Sequence, residues 1–230
     1  MDDVSLVQRI VIWSLPVLFA ITVHEVAHGW VALKLGDRTA MMLGRLTLNP
    51  IKHIDPIGTL LVPAIMLLVG GFVFGWAKPV PVTWENLRQP KRDMALVAVA
   101  GPLANLLMVI GWLIITKIGI AMLQDLPAVG KPLLLMGVAG IFINTVLMVL
   151  NLIPLPPLDG GRIVTGLLPG PLAWKFSRIE PYGFAILLLL FFTNILGKIM
   201  WPVMSVVFAA VITMGVLPPG VFEGILRTII

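Results

Sequence analysis

Residues 10–33 read Ile10-VIWSLPVLFAITV-His24-Glu25-Val26-Ala27-His28-Gly29-Trp30-VA-Leu33, and the only formal charge among them is Glu25. A helix needs roughly 20 apolar residues to cross the hydrocarbon of a bilayer, so this stretch is long enough to span. Ionisable side chains are costly at membrane depth and mark function by default. The same residues therefore predict a membrane helix and a reactive site upon it.

The rest of the chain agrees with a membrane setting. Of 230 residues, 59% are hydrophobic and 12% charged, against roughly half and a quarter in soluble proteins. Too few polar residues remain to coat a soluble fold, which excludes a soluble enzyme, a nucleic-acid binder and a disordered chain. The net charge of +5 is read as topology, with Lys and Arg held on the cytoplasmic side, and no nucleic-acid partner is expected. With no cysteine there is no thiolate nucleophile or thiolate metal site, so any metal must be held by His and carboxylate. Met1-Asp2-Asp3 is acidic where a signal peptide would be basic, so the first apolar run is expected to be retained.

Further apolar stretches run over 56–77, 94–116, 132–158, 182–197 and 199–222, separated by basic loops. The predicted fold is an all-α polytopic membrane protein of five to six transmembrane helices. The second stretch is flanked on both sides by basic clusters, and a true span would place one of them outside. Pro63, Gly70-Gly71 and the Pro-punctuated run Gly75 to Val82 oppose a regular helix, so residues 56–82 are expected to form a re-entrant hairpin or extended segment. All basic clusters are then cytoplasmic. No repeat or long polar insertion is present, so residues 1–230 read as a single membrane domain, with a core over about 7–165 and accessory spans over about 180–222.

His24 and His28, four residues apart on a helix, lie on one face and can reach one ion. Glu25 projects beside them, where it could accept a proton from water instead of ligating metal. The bland alternative is a pair of histidines bonded to neighbouring helices. A catalytic zinc site usually takes a third protein ligand. The candidates are His53 and the carboxylates Asp37, Asp55, Asp93, Asp125, Asp159, Glu85, Glu180 and Glu223. Asp159 is best placed, because Asn151-LI-Pro154-L-Pro156-Pro157-L-Asp159-Gly160-Gly161 breaks the fourth stretch near one membrane face, at the depth expected of the histidines. An ordinary turn aspartate is the competing reading.

His24-Glu25-VA-His28-Gly29, Gly101-Pro102-LA-Asn105 and the run Asn151 to Gly161, in that order, resemble the site-2 proteases, in particular small bacterial members without a PDZ or regulatory domain. The resemblance implies that His24, His28 and Asp159 ligate one Zn2+ per chain and that Glu25 is the general base. It implies a membrane-spanning protein or peptide as substrate, cleaved in or near its span, and a multi-pass enzyme in a bacterial cytoplasmic membrane with its site toward the cytoplasm. Asn105 and Asn151 match motif asparagines that could bind substrate backbone or the oxyanion, or else join helices. The segment Gly75 to Val82 resembles the family's re-entrant strand, which could pair with an extended substrate. His53, in the loop before Pro56, is a possible support to the ligands. The rival class is a non-catalytic membrane protein, either a transporter or a pseudoprotease that binds spans without cutting.

Overall fold

The computed structural model describes residues 4–61, 65, 75, 77–214, 217–218 and 220–230. Among these, regular structure is helical throughout: α1 (Leu6–Lys34), α2 (Thr39–Met42), α3 (Pro90–Met122), α4 (Pro127–Asn151), α5 (Asp159–Leu167), α6 (Gly170–Ser177), α7 (Glu180–Phe192), α8 (Ile195–Thr213) and α9 (Val221–Ile229). Helices α1, α3, α4 and α8 are long and apolar enough to cross a membrane, and α7 is a shorter apolar helix. The protein is a polytopic, all-helical membrane protein. Residues 62–64, 66–74 and 76 of the expected re-entrant stretch lie outside the described residues. Its described ends are a π-helical turn at Pro56–Leu61 and a segment without regular structure over 77–83.

Helix boundaries follow local chemistry. α1 starts four residues before the apolar run because Ser5 and Gln8 form a reciprocal capping box, Gln8 N–H donating to Ser5 Oγ and Ser5 N–H to Gln8 Oε1. It ends where Gly36 takes φ 118°, a conformation side chains disfavour. α3 opens on Pro90, whose missing N–H is no loss at a first turn, and Asp93 accepts the Gln89 N–H. α4 stops at Asn151, seven residues before the apolar run does, because Pro154, Pro156 and Pro157 cannot continue it. The apolar stretch 182–197 is broken at Asn194, which sits at φ 57° between α7 and α8. The final stretch likewise divides into α8 and the separate helix α9.

α3 and α4 form the most extensive helix pair, and α1 packs across both. Small residues allow the close approach: a Cβ on Gly140 would lie 2.2 Å from the Trp112 ring. Their shared core of Val109, Trp112, Leu113, Val138, Ile141 and Val149 continues into Met200, Met204 and Phe208 of α8 and into Phe222 and Ile225 of α9. Outward-facing residues such as Leu107, Ile114, Leu189 and Val206 are more than half exposed, which suits a surface bathed in lipid tails.

Candidate metal centre and active site

One turn of α1 aligns His24 and His28, and the first residue of α5, Asp159, meets them from 131 positions along the chain. Asp159 Oδ2 lies 3.3 Å from Nε2 of each histidine, and the two Nε2 atoms are 3.1 Å apart. All three side chains are buried. They are the one group of three such residues, among those described, whose ligand atoms converge within reach of a single ion.

The remaining ring nitrogens reveal what those three atoms carry. The Asn144 amide nitrogen donates to Gly140 O, and Asn105 Nδ2 donates in turn to Asn144 Oδ1 at 2.9 Å and to Ala20 O at 3.4 Å. This chain of donors leaves Asn105 Oδ1 as the acceptor for the Nδ1–H of His24. His28 Nδ1–H donates to Val97 O at 2.7 Å. With Nδ1–H so committed, each ring in its neutral form turns an Nε2 lone pair toward Asp159 Oδ2, a buried oxygen with no hydrogen-bond partner. Three lone-pair atoms packed together repel one another unless a cation stands between them. Tetrahedral zinc, with bonds of about 2.0–2.1 Å, spaces its ligand atoms about 3.3 Å apart, so the donor set and its spacing fit that ion.

Glycines admit this geometry. A Cβ at Gly101 would fall 2.4 Å from His28 Nε2 and 2.5 Å from His24 Cε1, so α3 can cross at the imidazoles only where a side chain is missing. At Gly160 a Cβ would lie 2.4 Å from the carbonyl oxygens of Leu152 and Ile153. Asp-Gly-Gly reads as turn chemistry, yet it forms the first turn of α5, and its glycines serve close backbone approach.

Glu25 is bonded to a different segment. Its Oε2 accepts the N–H of Val80 at 2.7 Å, from the described end of the expected re-entrant stretch. His53 is buried, with Nε2 donating to Thr47 O at 2.8 Å, while its carbonyl accepts the Lys78 N–H at 2.9 Å. It thus supports the segment facing Glu25 through its backbone. Asn105 is wholly buried and bonded to His24, whereas Asn151 is half-buried with its amide donating to Leu147 O. Val97 and Asn144 were not legible beforehand: one contributes only a carbonyl, and the other only a second link to a histidine. Asp37 and Asp93, two other ligand candidates, are buried but accept hydrogen bonds from Thr39 and Thr83 and from Gln89 respectively.

The model of peptidase family M50 matches residues 114–192, from within α3 through α7, including Asn151 and Asp159. The chain is 41% identical to "Putative zinc metalloprotease YwhC" of Bacillus subtilis over 82% of its own length and 83% of that protein's. It is 31% identical to "Putative zinc metalloprotease Rip2" of Mycolicibacterium smegmatis, over 79% of this chain and 66% of the relative. With the Mycobacterium tuberculosis protein of the same name it shares 32% identity, over 62% and 52%. No solved structure matches the chain. A relative this similar over most of both lengths, joined to the converging His24, His28 and Asp159, places the chain in peptidase family M50, the site-2 proteases, as a multi-pass membrane member.

Proposed function

We propose that this protein is a zinc-dependent intramembrane endopeptidase that hydrolyses a peptide bond in or near a transmembrane segment of its substrate, with one Zn2+ held by His24, His28 and Asp159 and Glu25 as general base. The observation that carries the reading is the convergence of two Nε2 atoms and an undonated carboxylate oxygen within 3.3 Å. The relatives' names, which specify zinc, support the choice of ion.

A peptide bond in hydrocarbon is protected by its helical hydrogen bonds and by the absence of water. Zinc, when bound, supplies a Lewis acid that brings the pKa of water down toward neutrality and polarises a carbonyl. The chain's own residues do the rest. Asn105 and Val97 O hold each imidazole in the tautomer whose Nε2 is free to ligate. Glu25, its carboxylate oriented by the Val80 N–H, takes a proton from water and returns it to the leaving amine. The segment Gly75 to Val82 would lie beside an unwound substrate, and Asn151 would bond substrate backbone or the oxyanion. The catalytic core spans about 7–165, with 180–222 as accessory helices. The basic loops put the site toward the cytoplasm, and the family setting is a bacterial cytoplasmic membrane.

The test is Glu25→Gln. Purified Glu25→Gln is expected to retain wild-type zinc and to lose at least about 100-fold in cleavage of a transmembrane test substrate. Cleavage at the wild-type rate would remove Glu25 from the mechanism, and a wild-type chain that binds no zinc would favour the transporter or pseudoprotease class.

A further inference from the structure

If Glu25 is the base, something must hold its partner. Val80 lies between Pro79 and Pro81, neither of which has an N–H to anchor the backbone. The segment is pinned from outside instead. On one side, Arg45 Nη2 donates to Lys78 O at 2.9 Å and to Pro79 O at 3.3 Å, and Lys78 N–H donates to His53 O. On the other, the Thr83 N–H donates to Asp37 Oδ2 at 2.8 Å.

Asp37 is only 1% exposed. Its Oδ1 accepts the N–H of Thr39 at 3.0 Å, the Thr39 hydroxyl and the Asn86 amide at 3.1 Å. Its own N–H bonds back to Ala32 O at 2.9 Å, which ties it to the end of the helix carrying Glu25. Gly36, at φ 118°, makes that turn, and a Cβ there would meet Asn86 O at 3.1 Å. A closed bracket results, running from α1 through Asp37, Thr83 and Val80 to Glu25 and α1 again.

We propose that Asp37 is a positioning residue for the reaction: by accepting the Thr83 N–H it seats segment 77–83 where the Val80 N–H meets Glu25. The inference rests on Glu25 acting as the base. An acceptor-only carboxylate is required because four donors converge on it, and an asparagine amide would set a donor against Thr83 N–H.

The natural chain lacks cysteine, so an introduced thiol is the only one. Val82→Cys, half-buried on the segment, and Val211→Cys, buried on α8, are each labelled with a maleimide in the presence and absence of Asp37→Asn. Selective acceleration at position 82, fivefold or more, with zinc retained and kcat reduced tenfold or more, is the expected result. An unchanged rate at 82 overturns the proposal, as does equal acceleration at 82 and 211, which would make Asp37 a general stabiliser. Should Asp37→Asn fail to fold, Asn86→Ala removes one donor from the bracket and is expected to give a smaller acceleration at 82 alone; no change there overturns the proposal equally. Labelling is read without catalysis, so an active Glu25→Gln would sink the assignment of the base while leaving the bracket to be judged on its own.

Discussion

His24 and His28 are held by a buried helix crossing, whereas Glu25, their neighbour on the same turn, is held by an irregular segment pinned through loops. The histidines are fixed by Asn105 and Val97 O of α3, within a packed interior that tolerates little displacement. The carboxylate meets one backbone N–H whose position depends on Arg45, His53 and Asp37. Metal retention and base placement should therefore be separable by mutation.

The largest effect is expected at the crossing. Gly101→Ala would drive a methyl into both imidazoles, and zinc content in the purified protein should fall at least tenfold. Full zinc loading in that variant would show that the crossing has more slack than its distances allow.

Next comes the support of the ligands. Asn105→Ala removes the acceptor that fixes the His24 tautomer and leaves Asn144 Oδ1 without its donor. A loss of about 10–100-fold in zinc affinity is expected, by competition with a chelator. Unchanged affinity would mean that the tautomer is set without Asn105.

What the sequence made legible divides along the same line. The shared face of His24 and His28 was readable because a four-residue spacing is a local property of a helix. Asp159 was readable through the proline-broken stretch and the resemblance, though not its place at the head of a helix. Asn144, Val97 O and the bracket at Asp37 were not, because helix crossings and loop contacts between distant positions create them, and no spacing records those. The span limits moved for local reasons too, the capping box at Ser5 and the left-handed Asn194 being the clearest.

The smallest effect concerns acid stability of the bracket. Burial pushes the Asp37 carboxyl up, but hydrogen bonds from the Thr39 hydroxyl, the Thr83 and Thr39 N–H groups and the Asn86 amide outweigh it and hold it below the ordinary carboxylate value. A depressed folded pKa gives stability that is complete above the unfolded value, about 3.9, and is lost as pH falls through the folded one. The difference in thermal stability between wild type and Asp37→Asn, of the order of 2 kcal/mol, should stay level from about pH 8 to 5 and shrink only below about pH 4. A difference that shrinks near neutrality would place the titrating group elsewhere.

X-ray absorption at the zinc edge, on purified wild type and Asp159→Ala, tests the central claim most directly. The wild type should show two imidazole nitrogens at about 2.0–2.1 Å with oxygen completing the shell, and Asp159→Ala should bind zinc at least tenfold more weakly with an altered oxygen shell. Full loading and an identical spectrum in Asp159→Ala would contradict a cation gripped by His24, His28 and Asp159.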